Sequence, residues 1–123
     1  MDETPMQQFE RGCARGRESL TKGRLETAWD GWFTALAGKA ILENMGQKIG
    51  FPHRNQFIKL QHDIGRAFLA EAESMSSGGT YPNYHACRKF DTAQYMLKGN
   101  AYVSGKTKEE IVSLGTKLGF QLG

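Results

Sequence analysis

The stretch from Leu25 to Met45 (LETAWDGWFTALAGKAILENM) constrains this chain most. Leu25, Ala28, Trp29, Trp32, Phe33, Leu36, Ala37, Ala40 and Ile41 recur in steps of three and four, the signature of a wide apolar face on an α-helix. Both tryptophans of the protein lie here, one turn apart, and rigid aromatic rings bring large apolar area at little entropic cost. This helix is expected to be the central wall of the core. Gly31 and Gly38 lie seven residues apart on one side of it, where a second helix could approach closely. Asp30 interrupts the apolar run and is expected to mark the polar side or to pair with an arginine.

The flanking segments also read as helices. Thr4-Pro5 is a helix start, with a capping hydroxyl followed by a proline tolerated at the first helical position. The helix it opens should reach about Lys22, with Phe9, Cys13 and Leu20 as a thin apolar stripe. Gly12 and Gly16 weaken it by roughly 1 kcal/mol each relative to alanine, and the same glycines admit another backbone. Pro52 opens a third helix to about Ser74, with Phe57, Leu60, Ile64 and Phe68 on one face. Met75 to Thr80 (MSSGGT) reads as a helix connection. A fourth helix is expected over about 82–103, carrying Tyr84, Cys87, Phe90, Ala93, Leu97 and Ala101. Thr107 and Glu110 match a capping box, which starts a short last helix to about Leu118. No stretch alternates with period two, so no sheet is expected. The expectation is one all-α domain over residues 1–123, a helical bundle of four main helices plus a short C-terminal helix.

Composition excludes several classes. No apolar run approaches the ~18 residues that cross a bilayer. The opening MDETPMQQFERG is acidic and polar, without a charged-then-apolar signal pattern, so a cytoplasmic location is expected. Cys13 and Cys87 are the only cysteines; each falls on a helical apolar face and reads as a small buried thiol. There is no Cys-x-x-Cys or Cys/His cluster, so neither a metal site nor another cofactor is expected. Ser104-Gly-Lys-Thr107 has the end of a phosphate-binding loop, but the glycine required four residues earlier is Asn100, and helix capping explains the same residues. The serines lie in no nucleophile-elbow context, and no catalytic set emerges.

The net charge is +3, which leans toward a polyanionic partner. On the first helix Arg11, Arg15 and Lys22 share a face, with Glu10, Glu18 and Glu26 interleaved. On the third, Lys59, His62 and Arg66 form a ridge nearly opposite the apolar face. Arg88 and Lys89 add charge near the start of the fourth, where tyrosines beside cations are the material of a stacking platform for single strands. Long cationic side chains can track a phosphate backbone without reading bases. These eight residues are the candidate nucleic-acid contacts.

The helical bundle, the Lys59/His62/Arg66 ridge and the closing pattern Tyr95-Met-Leu-Lys-Gly99 … Ser104-Gly-Lys-Thr-Lys-Glu-Glu-Ile-Val-Ser-Leu-Gly115 together resemble the small helical subunits of CRISPR effector complexes. That resemblance implies a non-catalytic subunit contacting guide RNA, target or displaced strand within a ribonucleoprotein, among other protein subunits and several copies of itself. The acidic residues of the first helix depart from a strongly basic groove. Two alternatives stand beside it. Arg54 and His62 are similar to the Arg-x(4–6)-His of HEPN ribonucleases, although seven residues separate them here. The third reading is a protein-interaction bundle without nucleic acid, associating through the Gly31/Gly38 face or through spare aromatic surface.

Overall fold

A computed structural model describes residues 2–76 and 84–120. The fold is all-α, a bundle of five helices with no strand among the described residues: α1 (Pro5–Thr21), α2 (Leu25–Asn44), α3 (Phe51–Ser76), α4 (Tyr84–Leu97) and α5 (Gly105–Lys117). The chain divides into two compact units, Met1–Gln61 and His62–Gly123, and α3 contributes residues to both.

In the first unit, α1 starts where Thr4 and Gln7 cap reciprocally. The Thr4 hydroxyl oxygen accepts from the Gln7 amide at 3.1 Å, and the Gln7 side-chain oxygen accepts from the Thr4 amide at 2.9 Å. The helices α1 and α2 then run antiparallel with their glycines at the contact. A Cβ built on Gly31 would lie 2.5 Å from the Gly16 nitrogen and 2.9 Å from the Gly12 carbonyl oxygen; one on Gly38 would lie 2.6 Å from the Pro5 carbonyl oxygen. Only hydrogen side chains permit this approach, so the expected role of these four glycines holds. The aromatic core sits beside it: Trp32 stacks on Phe57 at 5.3 Å, and Phe9 meets Phe57 at 5.6 Å. Leu60 fills the space next to Gly16.

One sequence expectation is corrected here. The buried side of α2 is Ala28, Gly31, Trp32, Ala35, Gly38 and Leu42. Trp29 and Leu36 are only half-buried, and Phe33, Ala37, Ala40 and Ile41 are exposed. The helix is apolar on nearly every side, and α1 takes the small-residue side. The Gly31/Gly38 face is therefore occupied within the chain and is not the surface of a homodimer. Asp30 is exposed, on the face it shares with Phe33, Ala37 and Ile41, so it does not mark a separate polar side.

In the second unit, Ile64, Phe68, Leu69 and Ala72 of α3 are buried with Ala86, Phe90, Ala93, Met96 and Leu97 of α4. Gly65 lets α3 meet α4 closely, since a Cβ there would lie 2.7 Å from Leu97 Cγ. The expected end of the fourth helix is corrected: α4 stops at Leu97, not near Val103, because Gly99 turns the chain with φ +71°. Its expected start at Pro82 lies outside the described residues. The last helix is capped by Ser104, whose hydroxyl accepts from the Thr107 amide at 3.1 Å. Thr107, expected as the cap, is instead fully buried inside the first turn of α5.

Candidate nucleic-acid interface

The first unit holds Arg11, Arg15, Lys22 and Lys59 of the candidate contacts. All four are exposed, and α1 places Arg11, Arg15, Glu18 and Lys22 on one face. Arg11 is bidentate to Glu3, its Nε donating at 2.6 Å and its Nη2 at 3.0 Å. That guanidinium holds the Glu3 carboxyl below the usual carboxylate range, and the carboxylate raises Arg11 in turn. Lys22 donates to Glu18 at 2.9 Å, which likewise lowers the Glu18 pKa. Two of the three candidate cations on this face are thus already compensated. Arg15 and Lys59 have no carboxylate partner among the described residues.

The second unit holds His62, Arg66, Arg88 and Lys89. His62 is half-buried, its Nδ1 2.9 Å from Oδ1 of Asp63 and its ring 6.0 Å from Tyr102. Arg66 is exposed and donates to the Thr107 hydroxyl at 2.5 Å, a neutral partner that leaves its charge in place. Lys89 is turned inward, 3.2 Å from Glu71 and 5.1 Å from the centre of the Phe68 ring. Arg88 points outward over the Tyr84 ring at 5.8 Å. The neighbours Arg88 and Lys89 are therefore not one patch; about 100° apart on α4, they meet different surroundings.

The exposed face of α4 carries more than the sequence reading assigned to it. Tyr84, Arg88, Asp91, Tyr95 and Lys98 recur at helical spacing along it, and Tyr84 and Tyr95 are 65% and 57% exposed. Tyr84, expected among the core residues of this helix, is an outer residue. At its C-terminal end the face meets an open groove of about 740 Å³, bounded by Gln94, Lys98, Asn100, Val103, Lys108 and Ile111. Neither Lys98 nor Lys108 has a carboxylate partner among the described residues. Two exposed phenol rings about 16 Å apart along the helix axis, with cations between and beyond them, can stack bases and neutralise phosphates. Lys98 and Lys108 escaped the sequence reading because nothing local distinguishes them; the turn at Gly99 brings them to one groove.

Among the described residues, no group of three or more His, Cys, Asp or Glu is placed to hold a metal ion. No described helix is long and apolar enough to cross a membrane. Comparison with models of known protein families, with curated proteins and with solved structures finds no match.

Proposed function

We propose that this chain is a non-catalytic helical subunit that holds a nucleic-acid backbone within a larger ribonucleoprotein assembly, the role implied by its resemblance to the small subunits of CRISPR effector complexes. The observation that carries the reading is the exposed Tyr84–Arg88–Tyr95–Lys98 face of α4, continued by Lys108 across the groove. Exposed tyrosines are ordinarily minor features; two on one helical face, with Arg88 and Asp91 between them and Lys98 beyond, offer a single strand stacking rings and a net positive charge. Arg66, Arg15 and Lys59 supply further positive charge on their own units. None of these groups reads base edges, so the binding is sequence-independent.

Substitution at Tyr95 tests the stacking part of this reading. Tyr95→Phe keeps the ring and should keep the affinity for a short single-stranded RNA or DNA, whereas Tyr95→Ala should weaken it by about 1–3 kcal/mol, the usual contribution of one stacked base. Equal affinities for wild type and Tyr95→Ala would remove α4 from the interface. Cleavage of RNA that His62→Ala abolishes would instead favour the ribonuclease reading.

A further inference from the structure

The proposed function leaves Arg54 unused, although its spacing from His62 singled it out in the sequence. In the structure it lines an open pocket of about 480 Å³ at the elbow between α2 and α3, with Lys39, Glu43, Gln47, Lys48 and Ile49. Three parts of the chain build this pocket, all within the first unit. Lys39 and Glu43 lie one turn apart on α2. Gly46, with φ +77°, turns the chain, and the Gln47 amide donates to the Leu42 carbonyl at 2.9 Å, which fixes the connection that carries Lys48. Arg54 comes from the first turn of α3, where its amide donates to the Gly50 carbonyl at 3.0 Å.

The lining charges select the ligand. Lys39 is ion-paired with Glu43, so that pair adds no net charge. Lys48 and Arg54 are exposed and have no carboxylate partner among the described residues. The pocket therefore keeps two positive charges. A carboxylate or a phosphodiester brings one negative charge, whereas a phosphate monoester brings nearly two at neutral pH. Arg54 can donate two parallel N–H bonds to its oxygens, Lys48 acts as a point charge, and the Gln47 side chain offers a neutral donor. Phe51 indicates what the phosphate is attached to. It is 78% exposed, more than any other large apolar residue described. It stands three residues before Arg54 on α3, so the two side chains are neighbours on one face, with Cβ atoms about 5–6 Å apart. A sugar covers that span between a phosphate and its base, and an exposed ring beside a cationic pocket gives the base a face to stack on.

We infer that the elbow between α2 and α3 binds a nucleoside 5′-monophosphate group, its phosphate held by Lys48 and Arg54 and its base stacked on Phe51. The group is the same whether it belongs to a free nucleotide or to the 5′ end of a strand. The site uses no residue of α4, so it stands or falls separately from the Tyr84–Lys98 face.

Calorimetric titration of the full chain at low salt with adenosine 5′-monophosphate, adenosine and inorganic phosphate tests the inference. The monophosphate should bind more tightly than either part alone. The double variant Lys48→Gln/Arg54→Gln should weaken it by about tenfold or more, the effect of losing one charge-assisted hydrogen bond or several, with native tryptophan fluorescence. Phe51→Ala should weaken the monophosphate by about fivefold, the lower end for one stacked base, and leave inorganic phosphate unchanged. A strand with a 5′-phosphate, set beside the same strand ending in a hydroxyl, identifies the source. A preference for the phosphorylated strand that the double variant abolishes assigns the site to strand ends. Equal affinities for the two strands, with the monophosphate still bound, assign it to free nucleotides. A monophosphate that does not bind, or binds no more tightly than adenosine, overturns the inference. So does binding indifferent to the double variant or to Phe51→Ala.

Discussion

Replacing Gly31 by alanine isolates the contact on which the first unit depends. Helix propensity alone favours the change by roughly 1 kcal/mol, since glycine is a poor residue inside a helix. The new methyl group, however, would lie 2.5 Å from the Gly16 nitrogen and 2.8 Å from its Cα. Ordinary carbon contacts begin close to an ångström further out, and the obstructing atoms are backbone, so no rotamer change relieves the clash. The helices α1 and α2 must separate, which loosens the seating of Phe9, Trp32 and Phe57 behind them. Overpacking of a core costs about 1–3 kcal/mol, and an obstacle made of backbone belongs at the upper end. The net loss should be about 2 kcal/mol, obtained by setting the upper packing cost against the propensity gain. For a unit of this size that lowers the melting temperature by roughly 8–16 °C. Both tryptophans lie on α2, so thermal or urea unfolding followed by their fluorescence reports this unit directly. Gly105→Ala in the second unit is the contrast: nothing lies within 4 Å of its Cβ position and its φ is not positive, so it should stabilise that unit by about 0.4–1 kcal/mol, read by helical circular dichroism. A Gly31→Ala protein as stable as wild type would refute the close-packing argument.

Other perturbations probe separate contacts. Thr4→Ala removes the hydroxyl that accepts from the Gln7 amide and should cost about 1 kcal/mol by urea unfolding. Thr107→Val keeps the shape of a fully buried residue but removes the acceptor for Arg66 and Ser104; the second unit should lose about 1 kcal/mol, read by helical circular dichroism. Burial pushes the Cys13 thiol up to about 11, so its alkylation at pH 8 should be roughly a hundredfold slower than that of an open-chain thiol near 8.5. The folded thiol holds its proton where the unfolded one releases it. The stability of the first unit should therefore be undiminished below about pH 8.5 and fall as pH rises toward about 11, a loss that Cys13→Ser should blunt.

The helices and most of the aromatic core were legible because they rest on local periodicity. Phe57, Leu60, Ile64 and Phe68 announce a buried stripe, and Thr4-Pro5 announces a helix start whichever partners the helix finds. The buried side of α2 was legible only in part: Gly31 and Gly38 announced a close approach, but not that their side, rather than that of Phe33 and Ile41, is the buried one. Its core residues are mostly glycine and alanine, chosen for closeness, and hydrophobic patterning favours the larger side chains that here face outward. The cap of α5 was misplaced because Ser104 and Thr107 can both cap; which one does depends on Arg66, forty-one residues away, which takes the Thr107 hydroxyl. The candidate cations divide for the same reason. Whether Arg11 or Lys89 is available to a ligand depends on Glu3, beyond the helix start, and on Glu71, from another helix.

The most direct test of the proposed role is the salt dependence of binding to single-stranded RNA and DNA, with wild type beside an Arg88→Ala/Lys98→Ala double variant. The account predicts tight binding at low salt that weakens linearly on a log–log plot. The double variant should bind more weakly, with a slope shallower by about 1.4, since each phosphate contact to a single strand contributes about 0.7. Absence of binding at low salt, or an unchanged slope in the double variant, would contradict it.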